Sequence, residues 1–273
     1  MMSDSTRANK KQAKRQVKEG LSQSHIKLVQ SLNSKKGRSK GASFVVEGHK
    51  IIIELLNTDI KIKTIFTLDA WLNNILETNF PSEKIVLITE KELDKLSFLK
   101  HAQSMLAIVD CNSLACVPFN PKKPSIILDD IQDPGNLGTI LRTAVWYGIE
   151  QVLCSKVCAD FLNPKVIQAS MGAFAHVKVY YEDLESYLSS LEPMAIYGAI
   201  LNGIEIGKVN WVADSHILIG NESKGINQNL IRFISHAVTI PKYGPMESLN
   251  AAMANAILCD RFRTAYPLQY HPS

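Results

Sequence analysis

The stretch LDDIQDPGNLGTILRTA, from Leu128 to Ala144, decides the fold that the sequence predicts for the second half of the chain. Its apolar beginning ends at Asp129 and Asp130, and a Pro-Gly turn then leads directly into a helical pattern. Such a succession of strand, tight turn and helix is typical of an α/β sheet. Arg142 lies just inside that helix, close to the sheet edge at which doubly wound proteins bind ligands.

The same alternation of strand and helix continues towards the end of the chain. The apolar runs are continuous, which is typical of a parallel sheet that is covered on both faces. We therefore predict a doubly wound, mostly parallel α/β domain over residues 125–268. Its strands are expected at 125–131, 151–155, 176–181, 195–200, 216–220 and 236–241, and its helices near 137–147, 163–171, 183–190, 226–233 and 248–264.

A smaller α/β domain is predicted over residues 25–110. KIKTIFTL (61–68) has the alternation of a strand, and FVVEG (44–48) is a short strand that ends in glycine. Residues 111–124 contain three prolines and no periodicity, so they are predicted to link the two domains. The other strands are expected at 83–89 and 105–110, and the helices at 49–57, 69–76 and 92–100.

Positive charge is concentrated in the first 40 residues. They carry eleven lysines and arginines against Asp4 and Glu19, a net charge of +9, whereas the rest of the chain carries −5. This asymmetry favours a polyanionic partner, with nucleic acid ahead of a membrane surface; the alternative is a solvated tail without a partner. Residues 1–24 are predicted to be a basic disordered tail, while a hydrophobic content of 46% predicts a globular protein overall.

The cysteines predict free thiols in a reducing compartment. There are five of them, without a C-x-x-C pair and without histidines at zinc spacing, so no metal site is predicted. The first 20 residues contain no apolar signal core, and no run of about 18 apolar residues occurs. The sequence therefore predicts a cytoplasmic protein without a transmembrane helix.

Three stretches at predicted strand ends are candidates for chemistry: DPGNLGTILRTA (133–144), ILIGNESKGI (217–226) and IPKYGPMESLNAAMANAILCDRF (240–262). Each also has a purely structural interpretation. Asn136 and Ser248 are acceptable helix N-caps, and glycines are common in turns. Neither a dinucleotide-binding fingerprint nor a P-loop is present, which disfavours a nucleotide-dependent oxidoreductase. Spacing alone indicates an α/β ligand-binding enzyme that acts near nucleic acid.

Together, in this order, the three stretches closely resemble the motifs of the SpoU/TrmH family of RNA 2′-O-ribose methyltransferases, in the SPOUT superfamily. The resemblance covers about residues 125–265. FVVEGHKIIIELL (44–56) is similar to part of the family's N-terminal substrate-binding domain. The sequence departs from the family pattern at Ser223 and Lys224, where a glycine often comes first, and at Lys242, where methionine is frequent.

The resemblance implies a deep trefoil knot in the C-terminal domain and S-adenosylmethionine bound in the knotted loops. Main-chain groups of these loops would hold the adenine, and apolar side chains would enclose it, as is normal for a cofactor pocket. By motif position the cofactor-binding residues are Ile200, Leu201, Gly203, Gly220, Ile240, Met246 and Leu249.

The resemblance also implies a catalytic set. Family proposals make the arginine at the position of Arg142 the general base. A guanidinium group is nevertheless protonated at neutral pH, so anchoring of an RNA phosphate is the alternative role. The other members would orient the ribose, relay its proton or hold the arginine. The set comprises Asn136, Arg142, Glu222, Ser248 and Asn250.

The helix in LNAAMANAILCD (249–260) is apolar nearly all round, which predicts burial on every side. The resemblance implies a homodimer that packs through this region. The basic tail would then hold RNA phosphates without stacking on bases. The predicted activity is methyl transfer to a ribose 2′-hydroxyl, in 23S rRNA. The alternatives are a tRNA ribose methyltransferase and a non-catalytic RNA- or ribosome-binding protein with the same fold.

Overall fold

Six strands of the second half lie side by side in one parallel sheet in the computed structural model, which describes residues 14, 16–114 and 117–268. Their order across the sheet is β11-β9-β10-β6-β7-β8. The strands are β6 (Ser125–Leu128), β7 (Gln151–Ser155), β8 (Lys178–Glu182), β9 (Ile196–Glu205), β10 (His216–Ile219) and β11 (His236–Thr239).

Both faces of this sheet are covered by helices, which explains the continuous apolar runs. Ile126 and Leu128 of β6 belong to a core with Leu141 and Leu258 on one face, while Ile127 packs with Leu184 on the other. The predicted parallel α/β sheet is therefore confirmed. Its helices are α6 (Pro134–Trp146), α7 (Pro164–Ser170), α8 (Leu184–Ser189), α9 (Gln228–Ile231) and α10 (Ala251–Ala265).

The order of the strands brings distant loops together. β10 lies between β9 and β6, and β11 lies on the far side of β9, so the chain between β10 and β11 crosses over β9. Since all six strands run in the same direction, the segments after β6, β9, β10 and β11 emerge at one edge, their carboxyl edge. The three candidate stretches therefore meet at that edge.

The first half forms a five-stranded mixed sheet in the order β1-β4-β3-β5-β2. β5 pairs antiparallel with β2 and β3, and β4 pairs parallel with β3. The strands are β1 (Lys18–Glu19), β2 (Ser43–Glu47), β3 (Ile62–Thr67), β4 (Ile85–Leu87) and β5 (Met105–Asp110). The helices are α1 (Gln23–Ser31), α2 (Lys35–Gly41), α3 (His49–Leu55), α4 (Asp69–Leu76) and α5 (Glu90–Leu96).

The prediction of disorder through residue 24 is wrong for its last part. Lys18 and Glu19 form β1, which pairs with β4 through main-chain hydrogen bonds that need no apolar side chain. Ser22 then caps α1, its hydroxyl accepting the His25 N–H. No helix is predicted from the sequence before residue 49, yet the structure has α1 and α2 there. Residues 1–13 and 15 of the predicted tail, and Ala115–Cys116 of the predicted linker, lie outside the described residues.

Several boundaries differ from the sequence prediction for local reasons. β6 stops at Leu128, because Asp130 has a left-handed backbone with φ of +57°. Asp133, and not Asn136, caps α6, with its carboxylate accepting the Asn136 N–H at 2.8 Å. Asn250 caps α10, so this helix begins at residue 251, after Ser248.

The described residues divide into two compact units. One contains the chain up to residue 114 together with Leu162–Pro164, and the other contains the remainder. Within the described ranges, every helix is too short or too polar to cross a bilayer.

Candidate functional site

Three side chains from three separate segments form a hydrogen-bonded chain at the carboxyl edge of the parallel sheet. The Asn136 Nδ2 donates to Glu222 Oε1 at 2.5 Å, and Asn250 Nδ2 donates to Asn136 Oδ1 at 2.9 Å. Asn136 lies in the first turn of α6, Glu222 in the loop after β10, and Asn250 directly before α10. Each of the three predicted motifs thus contributes one member. We call these three side chains the amide–carboxylate network.

Helix capping explains the orientation of Asn250. Its Oδ1 accepts the N–H groups of Ala252 and Met253, which have no partner within the first turn of α10. The Nδ2 group is therefore left to donate towards Asn136. Asn136 in turn uses its oxygen for Asn250 and its nitrogen for Glu222, so that its amide has one partner on each side.

The loop that carries Glu222 is a tight turn that closes on itself. Asn221 and Gly225 exchange two main-chain hydrogen bonds, of 3.1 and 2.9 Å. The Asn221 side-chain oxygen also accepts the N–H groups of Ser223 and Lys224. A Cβ atom on Gly220 would lie 2.3 Å from the carbonyl carbon of Gly225, so only glycine fits there. Gly225 has φ of +71°, which also favours glycine.

Asp129 and Asp130 belong to the site, although the sequence analysis gives them no role. Asp129 is buried, and its carboxylate accepts the Asn227 N–H at 2.8 Å. Burial raises the pKa of the Asp129 carboxyl above its usual value, and the Asn227 bond partly opposes this rise. The pair of acidic residues at the end of a buried strand was the signal that could have identified them.

Arg142 and Ser248 are not part of the amide–carboxylate network. Arg142 is exposed on α6, six residues after Asn136, and Ser248 is exposed in the segment between β11 and α10. Neither side chain has a hydrogen-bond or ion-pair partner among the described residues. Both groups remain available to a ligand at this edge.

The predicted cofactor stretch 199–203 forms a bulge within β9. Ala237 of β11 pairs with Gly198 and the next residue, Val238, pairs with Ile204, so five residues of β9 are looped out between them. A Cβ on Gly203 would lie 2.5 Å from the Ala237 carbonyl carbon. The bulge is therefore pressed against the β11 backbone at a position that accepts only glycine.

The apolar residues predicted to bind cofactor are unusually exposed. Ile200 and Ile240 are half-buried, and Leu201, Met246 and Leu249 have exposed fractions of 77%, 73% and 49%. Large exposed apolar side chains are candidates for contact with a ligand. The side chains of residues 199–203 carry no charge, so this stretch offers main-chain groups and apolar contacts.

The prediction that α10 is buried on every side is wrong for the single chain. Ala252, Asn255 and Leu258 face the core, whereas Met253 is 57% exposed and Ile257 is half-buried. The reason is that α10 packs in this chain against α6 and the sheet on one side only. Met253 is thus left uncovered, whereas Ile257 still packs partly against the core.

A depression of about 360 Å³ lies at the opposite edge, near the amino ends of β7 and β8. Lys123 and Glu150, two of its lining residues, form an exposed ion pair of 3.0 Å. None of the predicted site residues lines it, and it is open to solvent. We therefore take the carboxyl edge as the candidate site.

Comparison with known proteins identifies families for both halves of the chain. The family model described as SpoU rRNA Methylase family matches residues 123–260, and the MRM3-like substrate binding domain matches residues 23–107. The 23S rRNA (guanosine(2553)-2′-O)-methyltransferase RlmP of Bacillus subtilis is 29% identical over 246 residues, which cover 87% of this chain and 95% of that protein.

Two solved structures have the same fold over nearly the whole chain. A candidate RNA methyltransferase of the TrmH family from Porphyromonas gingivalis is 31% identical, with a TM-score of 0.80 over 90% of this chain and 99% of the other. An AdoMet-bound rRNA methyltransferase from Sinorhizobium meliloti is 25% identical, also with a TM-score of 0.80, over 93% of this chain and 100% of the other.

Proposed function

The chain belongs to the SpoU rRNA methylase family, and from this membership we propose that it methylates a ribose 2′-hydroxyl of 23S rRNA with S-adenosylmethionine as the methyl donor. The observation that carries the proposal is the amide–carboxylate network, which joins all three motif segments at one sheet edge. The printed activity of the Bacillus subtilis relative supports the choice of 23S rRNA and of the 2′-oxygen.

The residues present fit a nucleoside cofactor. Gly203 lies against the backbone of Ala237, Gly220 lies against the backbone of Gly225, and the apolar side chains of Leu201, Met246 and Leu249 are exposed. These residues, with Ile200 and Ile240, would hold the adenosyl part by main-chain and apolar contacts. S-adenosylmethionine supplies an electrophilic methyl group on a sulfonium, and the AdoMet-bound relative from Sinorhizobium meliloti supports this assignment.

The reaction requires alignment of the ribose oxygen and removal of its proton. Much of the barrier to such a displacement is met by positioning. In our proposal Asn250 and Ser248 orient the ribose, and Arg142 binds an adjacent phosphate through its planar fork of N–H donors. Asn136 and Glu222 hold the Asn250 side chain in place through the network. Arg142 acts as the base only if its surroundings in the RNA complex displace its proton.

The first unit is proposed to bind the RNA substrate, because residues 23–107 match a substrate-binding family model. The basic residues of the amino-terminal tail add sequence-independent phosphate contacts. A cytoplasmic location stays a prediction from the sequence.

Two further structural features are part of the proposal, a knot within the chain and a dimer. We propose a trefoil knot in the C-terminal unit, which is supported by the crossing of β9 by the chain between β10 and β11. We also propose a homodimer through α10, which is supported by the exposed apolar side chain of Met253. Light scattering that finds a monomer at micromolar concentration would contradict the dimer.

The test is transfer of tritiated methyl groups from S-adenosylmethionine to total RNA from a strain that lacks this gene. Label in large-subunit rRNA is the expected result. Label in the tRNA fraction would instead support the tRNA methyltransferase alternative. Absence of both label and cofactor binding would overturn the proposal in favour of a non-catalytic binding protein.

A further inference from the structure

Two residues of the Glu222 loop, one before and one after Glu222 in the chain, contact Asp130. Lys224 Nζ lies 2.9 Å from Asp130 Oδ2, and Asn221 Nδ2 donates to the Asp130 main-chain oxygen at 2.9 Å. We propose that the Asp130–Lys224 ion pair positions the loop after β10 so that Glu222 reaches Asn136. Asp130 and Lys224 are then positioning residues for methyl transfer. This inference rests on the function proposed above.

The position of Asp130 is held by its backbone conformation and its hydrogen bonds. Its left-handed φ of +57° is uncommon for a residue other than glycine, so the surrounding contacts must hold it there. Its N–H donates to Ser155 Oγ at 3.0 Å, and its second carboxylate oxygen accepts from Gln132 Nε2. Together with Asn221 and Lys224, these contacts engage every polar group of Asp130.

The position of Lys224 determines that of Glu222, because hydrogen bonds make the turn between them stiff. Asn221 Oδ1 accepts the N–H groups of Ser223 and Lys224, and the exchange of hydrogen bonds between Asn221 and Gly225 closes the turn. A shift of Lys224 therefore moves Glu222. Asn136 follows Asp130 by six residues through a short turn. The positions of both residues in the Asn136–Glu222 hydrogen bond therefore depend on Asp130.

The charges support the same role. The Asp130 side chain is only 15% exposed, although that of Lys224 is 71% exposed. The hydrogen bond from Lys224 lowers the pKa of the Asp130 carboxyl, which favours its ionised form. Lys224 is also next to Ser223, where the family often has glycine.

The competing role for Lys224 is direct contact with an RNA phosphate. The two roles differ in what happens at Asp130. A positioning pair needs both partners, so loss of either has the same effect. A phosphate contact needs only the lysine, and removal of the carboxylate would free that lysine for RNA.

The experiment measures kcat, KM for RNA and thermal stability for Asp130→Asn, Lys224→Met, the double variant and Lys224→Arg. Asparagine tolerates the left-handed backbone, so Asp130→Asn removes the negative charge and one acceptor oxygen without straining the main chain. We expect each single variant to lower kcat about tenfold, less than the roughly hundredfold cost of a 1 Å misplacement. The double variant should lose no more than either single one, and Lys224→Arg should keep most activity, with KM for RNA nearly unchanged.

Lys123→Met is the matched control, since Lys123 forms an exposed ion pair of similar length with Glu150 at the other edge. It should leave kcat unchanged, and an equal loss there would overturn the inference. A raised KM for RNA in Lys224→Met with normal Asp130→Asn kinetics would overturn it in favour of a phosphate contact. Additive losses in the double variant would also overturn it.

A second readout separates this inference from the proposed activity. The NMR signal of the Asn136 side-chain amide, assigned with Asn136→Asp, should shift in Glu222→Gln and shift alike in Asp130→Asn and Lys224→Met. If the wild-type protein methylates no RNA but these shifts agree, the proposed function fails and the positioning role stands. An unmoved Asn136 amide in Lys224→Met would overturn the positioning role whatever the activity.

Discussion

The two edges of the parallel sheet use their polar groups in opposite ways. At the amino edge His216 is fully buried; its Nδ1 pairs with Ser125 Oγ at 2.8 Å and its Nε2 with the Pro121 oxygen at 3.1 Å. At the carboxyl edge the amide–carboxylate network is half-buried or exposed, and Arg142 beside it has no partner among the described residues. A closed network stabilises the fold, whereas an open one retains capacity for a ligand.

The largest expected effect is at the open edge. Arg142→Ala should lower kcat by at least about a hundredfold, because in our proposal it removes the group that anchors the RNA phosphate, and a misplacement of the ribose by about 1 Å has a cost of that order. Cofactor affinity and thermal stability should stay near wild-type values, since Arg142 is exposed. Lysine at this position lacks the planar fork and should restore little activity. Near-normal turnover of Arg142→Ala in the tritium assay would remove Arg142 from the catalytic set.

The next effect concerns the bulge in β9. Gly203→Ala places a Cβ about where the Ala237 backbone lies, so we expect about 1–3 kcal/mol of destabilisation and weaker S-adenosylmethionine binding. Gly207→Ala is the control, because a Cβ there meets nothing within 4 Å. Calorimetry that finds equal cofactor affinity in the two variants would argue against a cofactor role for the bulge.

The closed edge should respond in stability and not in chemistry. His216→Leu leaves Ser125 Oγ and the Pro121 oxygen without their partner, which should cost about 1–3 kcal/mol of unfolding free energy. Turnover per folded molecule should be unchanged. A variant that unfolds normally in urea but loses kcat would break the distinction between the two edges.

The smallest effect is a pH dependence of that stability. Burial lowers the pKa of His216 below its ordinary value of 6.5, so the unfolded chain binds this proton more readily than the folded one. The contribution of His216 to stability is therefore complete above about pH 6.5 and declines as the pH falls below it. Urea titrations between pH 5 and 8 should show a flatter profile for His216→Leu than for wild type, roughly within the histidine titration range. Parallel profiles would contradict this.

The sequence predicts the strands of the second half well because each is a short apolar run between turn signals. Its prediction of QVLCS (151–155) agrees with β7, whereas the end of β9 at Glu205 was missed. β9 continues after its bulge only because β11 provides hydrogen-bond partners, which no local pattern reveals. The short β1 was missed for the same reason, since it depends on β4.

The roles of Asp130 and Lys224 were likewise beyond local reasoning. In the sequence Asp130 is a polar residue after a strand, and Lys224 is a basic residue in a turn. Their ion pair spans 94 residues, so it exists only after β6 and β10 have become neighbours.

The amino-acid sequence by itself determined the two α/β halves, the parallel sheet and the motif residues, because apolar periodicity and turn chemistry are local properties. The tertiary structure alone decided which of those residues touch. Asn136 and Asn250 are 114 positions apart and share a hydrogen bond, while Arg142, much closer in sequence, stays outside the network. The physical reason is that strand order, and not sequence distance, brings loops to the same edge of a sheet.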